Sequence, residues 1–467
     1  MTAARRWGGF GFLLLLFGGL LAAKFPHLIT QPRLYAEEGL FFLQNALLGG
    51  GPGAVFIHFQ GYLNVLNGAT ALVAATWIQP EYWAFAHQTV AFMVQVAVVG
   101  YIALARLSFL PTLAHKSVFV AALALVPAAA EVTLTSTNMH FWAAMPVICM
   151  LFDDAAEHPT SRLWGDAAFI GIAGLIGPPV AVLFPAMLVK AMLSRAPVDR
   201  GRALTLFLVL VAHLVSMAAY RAYWGGGPDR AILDILMQAM LILPWELLVG
   251  SVALIAAGFE VADAVARAVS GLPSIWLYIG AAAFYGVLLV ILAAIRRTRS
   301  LPHVVVALVA ISGVVAGSLF SYPHDAVDAL PVGDGGRYTL LVNLVLLSAV
   351  AGVFARVPPP RIALIAPVVF LGVLAFHAPR DRLGGPGPDW RLEVAAWRAG
   401  DRPCGLRIEP DGWRVGVGEG FRARLEGLVG VGKAPILERV AGWRAENGML
   451  RRPALAPKMF DRLCQEG

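Results

Sequence analysis

The sequence predicts an all-α polytopic membrane protein of about 10–12 transmembrane helices, closed by a small extramembrane domain at its C-terminus. Three observations predict it. Of 467 residues, 58% are hydrophobic and 14% charged, and the mean hydropathy is +0.71. Apolar runs recur at spanning length: a hydrocarbon core about 30 Å thick needs roughly 20 apolar residues in a helix, because lipid offers backbone groups no partners. The arginines gather in short stretches between those runs, as the excess of positive charge on cytoplasmic loops requires. That placement accounts for the net charge of +7 without a nucleic-acid partner. The three cysteines show no CxxC and no His/Cys ligand spacing, which argues against a structural metal.

The first run, Gly8 to Ile29, follows Arg5 and Arg6. The N-terminus is therefore expected in the cytoplasm, and the run reads as a retained signal-anchor. Residues 30–61 form a first external loop, with Tyr35-Ala36-Glu37-Glu38-Gly39 at its head, a helical stretch from about Ala36 to Leu48, and a break at Gly49-Gly50-Gly51-Pro52. Residues 62–79 carry Asn64, Asn67, Thr70 and Gln79 among apolar neighbours, and read either as a short span or as a re-entrant piece. If 62–79 stays at the outer face, residues 84–105 cross inward to Arg106, His115 and Lys116. Residues 117–134 return, leaving Thr135 to His140 outside, and 141–152 lead back to Asp153, Asp154 and Arg162.

One continuous span over 166–193 would strand Arg195, Arg200 and Arg202 on the outside. A helix–break–helix hairpin with Gly177-Pro178-Pro179 at the outer edge keeps them in. Residues 203–221 cross outward. Between 228 and 274 charge parity asks for no crossing or for two, since 275–295 end on Arg296, Arg297 and Arg299. Then 303–320 go out, 321–337 form an external loop, 338–355 come in and 361–378 go out. The transmembrane part is thus 1–378. Residues 379–467, rich in Arg, Gly, Pro and Trp, hold the strand-like runs Leu406-Arg407-Ile408 and Trp413-Arg414-Val415 and are assigned to a small extracytoplasmic domain. Cys404 and Cys464 are a candidate disulfide there.

By this topology several uncommon polar groups share the outer face. Glu37 and Glu38 suit a general base and a second carboxylate that holds the substrate or a divalent cation, Mg or Mn. Acids in a first helical turn are equally explained by the helix dipole, at about 0.3–1 kcal/mol. His58, Gln60 and Tyr62 form a polar-aromatic group, and Asn138, His140 and Trp142 can line a sugar pocket through hydrogen bonds and ring stacking, or form an ordinary interfacial loop. His324, Asp325, Asp328 and Asp334 precede Arg337 and Tyr338, where a guanidinium at the mouth of a span can clamp a lipid phosphate in bidentate fashion. Arg and Tyr also anchor helix ends at head groups generally.

In order, these features resemble the C-type membrane glycosyltransferases (the GT-C superfamily), which use polyprenyl-phosphate-linked sugars. The resemblance rests on Tyr35-Ala36-Glu37-Glu38-Gly39, Gly61-Tyr62-Leu63, Asn138-Met139-His140-Phe141-Trp142, Gly174 to Pro178, Gly336-Arg337-Tyr338 and the Trp390 to Trp413 tail. Glu38 departs from it, since an Asp is commoner there. The resemblance implies a GT-C-like fold in a bacterial inner membrane with the site facing the periplasm. It also implies inverting transfer of a sugar from a polyprenyl-phosphate donor to an envelope glycan, lipid or protein acceptor. Glu37 or Glu38 would deprotonate the acceptor, and Arg337 or a metal would meet the charge of the leaving phosphate. The rival is a transporter or flippase for a lipid-linked or anionic solute, and a third possibility is an envelope scaffold whose acidic loop binds a partner.

Overall fold

The computed structural model describes residues 3–56, 58–59, 61–126, 130–154, 159, 161–224, 232–257, 259–296, 298, 301–321, 332–354, 387–401, 405–408 and 413–417. Among them six helices are long and apolar enough to cross a membrane: Arg6–Lys24, Pro80–Leu104, Pro197–Tyr220, Asp234–Ala257, Ser274–Ile295 and Leu301–Leu319. Five shorter apolar helices accompany them: Val65–Trp77, Leu113–Leu125, Met139–Phe152, Pro178–Ser194 and Thr339–Gly352. By length and composition this is the build of an all-α multi-pass membrane protein. The described strands are two short hairpin pairs.

The helix bundle has two recognisable ends. At one, Arg202 is fully buried and donates to Asp166 Oδ2 through Nε at 2.8 Å and to Asp199 Oδ1 through Nη1 at 3.0 Å. Asp199 also meets Lys190 Nζ at 3.3 Å, and Asp153 lies 3.5 Å from Arg162. Three carboxylates and three cations from four chain segments neutralise one another, the condition under which buried charge is tolerated.

That cluster fixes the chain's direction. Asp166 opens the helix Arg162–Ile176, Lys190 lies near the end of Phe184–Ser194, and Arg202 lies near the start of Pro197–Trp224. The first two helices therefore reverse between them, and the reversal falls on Gly177 and the 3₁₀ turn Pro178–Leu183. The hairpin expected from charge and from the proline pair is formed. At its tip a Cβ on Gly177 would stand 2.6 Å from His140 Cβ, so the break is pressed onto the short helix Met139–Ala143.

Elsewhere the structure refines the expectations. After the pairing of His58–Phe59 with Tyr62–Leu63, residues 62–79 become the 13-residue helix Val65–Trp77. At 1.5 Å per residue it is about 20 Å long, which is too short to cross. Asn64 caps it by accepting from Asn67 N at 3.3 Å, the usual use of Asn at a helix start. The run expected over 117–134 is helical from Leu113 to Leu125, and the 3₁₀ turn Ala130–Val132 leads into a buried irregular segment over 133–138.

One continuous helix runs from Ile232 through the π-helical stretch Leu247–Ala253 to Ala257, followed by the strongly amphipathic helix Phe259–Ser270. Pro244 inside the long helix cannot donate to Met240 O, and the Tyr285 hydroxyl donates to that carbonyl instead, at 2.7 Å. Loop-charge parity counts crossings and carries no information about a helix opened and repaired in this way.

The described part of the tail packs directly on the first loop. Its helix Trp390–Arg398 sends Trp390 Nε1 to Pro80 O at 2.7 Å, and Arg398 meets Glu81 at 2.7 Å. Strand Leu406–Ile408 pairs antiparallel with Trp413–Val415. Leu406, Ile408, Val415, Trp390 and Val394 share a hydrophobic core with Leu40, Phe41, Phe42, Leu43 and Trp83. Residues 361–378, Cys404, Cys464, His324, Asp325 and Asp328 lie outside the described residues.

Candidate functional site

The loop helix carrying the acids begins after an abrupt turn. Ala36 is held at φ +36°, a conformation uncommon for a residue with a side chain, and Glu38 N donates to Tyr35 O at 2.8 Å. The turn sends the two adjacent carboxylates into different surroundings. Glu37 occupies the N-cap position without a side-chain capping bond and is half-buried. Glu38 is 1% exposed.

Glu38 is held as a staple between two loops. Its Oε2 accepts from Tyr35 N at 2.8 Å, and its Oε1 accepts from Thr137 N at 3.2 Å and from Ser136 N. The Ser136 hydroxyl donates to Asn67 Oδ1 at 2.6 Å, and His87 Nδ1 lies 2.6 Å from the same hydroxyl. With that hydroxyl proton given to Asn67, His87 carries its own proton on Nδ1. Asn64 Nδ2 closes the network on Thr137 O at 3.0 Å. Burial pushes the Glu38 carboxyl up to about 7 from its usual 4.5, against the hydrogen bonds that pull it down.

The residues expected around the acids are partly brought together. Tyr62 stands edge-on to the His140 ring at 6.1 Å, and His140 lies beneath Gly177, so the Gly61, Asn138 and Gly177 segments converge. The Ser216 hydroxyl secures Gly61 O at 2.9 Å. Trp142 is a correction: it is 1% exposed, its indole N–H donates to Val132 O at 2.9 Å, and its ring packs edge-on against Phe17. It stabilises the interior and lines no sugar pocket, because helix Met139–Ala143 points that face into the bundle. Asn138 is likewise buried, with Nδ2 donating to Glu131 O at 2.9 Å.

His58 lies in the first strand, and Gln60 is outside the described residues. Arg337 and Tyr338 fall in the opening turns of helix Val332–Phe354. Toward the other end of that helix, Gly352 abuts His303 and Phe152 beside the ion cluster. The backbone therefore places Arg337 at the end remote from that cluster, which is also the end of Glu38 and Ser136.

Comparison with protein-family models, with curated proteins and with solved structures finds no match. The site must be read from its own chemistry.

Both Glu38 oxygens already accept backbone N–H groups. Among the described residues no group of three or more His, Cys, Asp or Glu is placed to hold a metal. Glu37 is left as the carboxylate with access to a reactant. Ser136, His87 and Asn67 are the members that sequence reasoning missed, and Asn64 joins them from the polar-aromatic group after His58. The signal for them was there: His87 interrupts the apolar helix Trp83–Leu104, and the two asparagines interrupt the apolar run after Leu63.

Proposed function

We propose that the chain is an integral membrane glycosyltransferase, similar to the C-type enzymes, acting at the periplasmic face of a bacterial inner membrane. It takes a sugar from a polyprenyl-phosphate donor to an envelope glycan, lipid or protein acceptor. The observation that supports this best is the division of labour in the acid pair: Glu38 is fixed by Tyr35, Ser136 and Thr137, and Glu37 beside it remains accessible. In the proposed step the acceptor oxygen attacks the anomeric carbon as its proton passes to Glu37. The bond from that carbon to the phosphate oxygen breaks, and its electron pair leaves on the phosphate. Arg337 meets that charge, and the configuration inverts. Glu38 is a positioning residue that sets the angle of the helix bearing Glu37, and catalysis rests on placement and on charge stabilisation.

The test is sugar transfer from a polyprenyl-phosphate sugar by the purified protein in lipid. Glu37→Gln should cut the rate by about 10²–10⁴, the usual worth of a general base. Full activity in both Glu37→Gln and Glu38→Gln would reject the reading. Transport of a lipid-linked or anionic solute is a second reading, favoured by Glu246 within the apolar helix Asp234–Ala257, since ionisable groups inside spans commonly serve ion or substrate paths. Flux into vesicles with no covalent product would put it first.

A further inference from the structure

Glu246 lies midway along the apolar helix Asp234–Ala257 and takes no part in the sugar-transfer chemistry. Its Oε1 accepts from the Thr339 hydroxyl at 2.7 Å. The approach is built into the backbone: a Cβ on Gly250 would come within 2.8 Å of both Glu246 Oε1 and Thr339 Cγ2. One turn beyond Thr339, Asn343 donates through Nδ2 to Gly250 O at 3.1 Å. The two helices thus meet in register, Glu246 on Thr339 and Gly250 on Asn343.

This meeting point is rich in oxygen and poor in donors. Asn343 Oδ1 and Ser251 Oγ are buried without a hydrogen-bond partner, on residues 3% and 2% exposed. Wide i→i+5 turns over Leu247–Ala253 bring residues four and five beyond Glu246 to the same side of the helix. Pro244 has already opened the ladder one turn earlier. Among the described side chains of the packed elements, Asp263 is bound by Arg267, Glu260 is exposed, and Tyr285 donates to Met240 O. A carboxylate in apolar surroundings with a single hydroxyl donor is costly as a bare anion. Helices opened at their middle are where membrane proteins hold small cations.

We propose that Glu246, with Thr339, Ser251 and Asn343, forms a membrane-embedded site for one monovalent cation, a proton or a sodium ion. The test uses the full chain in lipid nanodiscs and dicyclohexylcarbodiimide, which modifies protonated carboxyls in apolar surroundings. Peptide mass spectrometry reads the adduct. An adduct on Glu246 that grows as pH falls and is lost as pH rises is the expected result. Suppression at fixed pH when sodium chloride replaces potassium chloride identifies sodium as the occupant, and loss by pH alone identifies the proton. Thr339→Val keeps the carboxyl but removes the donor that favours its anion, so labelling should persist to higher pH. No adduct on Glu246, or one indifferent to both pH and sodium, overturns the proposal. Either outcome leaves the Glu37 reading to its own test, since the labelling does not depend on activity.

Discussion

Replacing Glu38 by Gln should change how the stability of the protein responds to pH. In the folded chain the carboxyl titrates at about 7 instead of 4.5, because it is buried. Below pH 4.5 it is protonated folded and unfolded alike, so it adds no pH dependence. Between 4.5 and 7 the unfolded chain releases a proton that the folded chain keeps, and stability falls as pH rises. At about 1.4 kcal/mol per pH unit, a displacement from 4.5 to about 7 is worth about 3 kcal/mol, complete above pH 7. Glutamine does not titrate and lacks this loss. Its amide also turns a donor toward a backbone N–H that Glu38 satisfies, costing about 1–3 kcal/mol at every pH. Thermal unfolding of both proteins in nanodiscs, followed by tryptophan fluorescence from pH 5 to 8, should show the wild type ahead at pH 5 and the gap closing by pH 8. A constant gap would refute the burial account of Glu38. A gap that widens with pH would mean that the three N–H donors outweigh burial and hold the anion.

Ser136→Ala removes the hydroxyl shared by His87 and Asn67, and should cost about 1–3 kcal/mol in thermal unfolding through the unpartnered groups left behind. Arg202→Met leaves Asp166 and Asp199 without their shared cation. The expected loss is about 3–5 kcal/mol, part of it recovered when Asp166→Leu is added. Gly68→Ala would set a Cβ 2.7 Å from the carbonyl oxygens of Ala54 and Val55. Backbone gives way poorly, so overpacking of about 1–3 kcal/mol should appear as a lowered unfolding temperature. Trp390→Ala empties the contact with Trp83 and Pro80, and limited proteolysis should reach the first-loop helix sooner, in line with about 3–5 kcal/mol lost from a core aromatic.

Much of the helical framework was legible because it is local. The run to Leu104, the break at Gly177-Pro178-Pro179 and the loop helix after Tyr35 follow from apolar length, proline and turn chemistry. Charge bias also placed Arg162 and Arg202 at a common end. It did not show that Asp153, Asp166, Asp199 and Lys190 interlock with them, since a loop-charge rule treats each residue as solvated. Glu37 and Glu38 were visible as a pair, but their different fates depend on Ser136 and Thr137, nearly a hundred residues away in sequence. Trp142 was misassigned for the same reason: an aromatic at a helix entrance looks alike whether it faces a sugar or the interior. The change of composition at the tail was legible. Its seat on Phe41 and Trp83 was not, because no local pattern encodes a docking partner.

The bond between Gln44 and Gly416 spans 372 positions of chain, and Ile408 rests against Gly39. A ribosome makes the loop segment long before its cover. Until the cover arrives, Leu40, Phe41 and Leu43 keep an apolar face open to whatever else is nearby. The acids therefore reach their final setting only after the cover is made, so a nascent chain threaded into the membrane carries the pair before it carries the geometry around it.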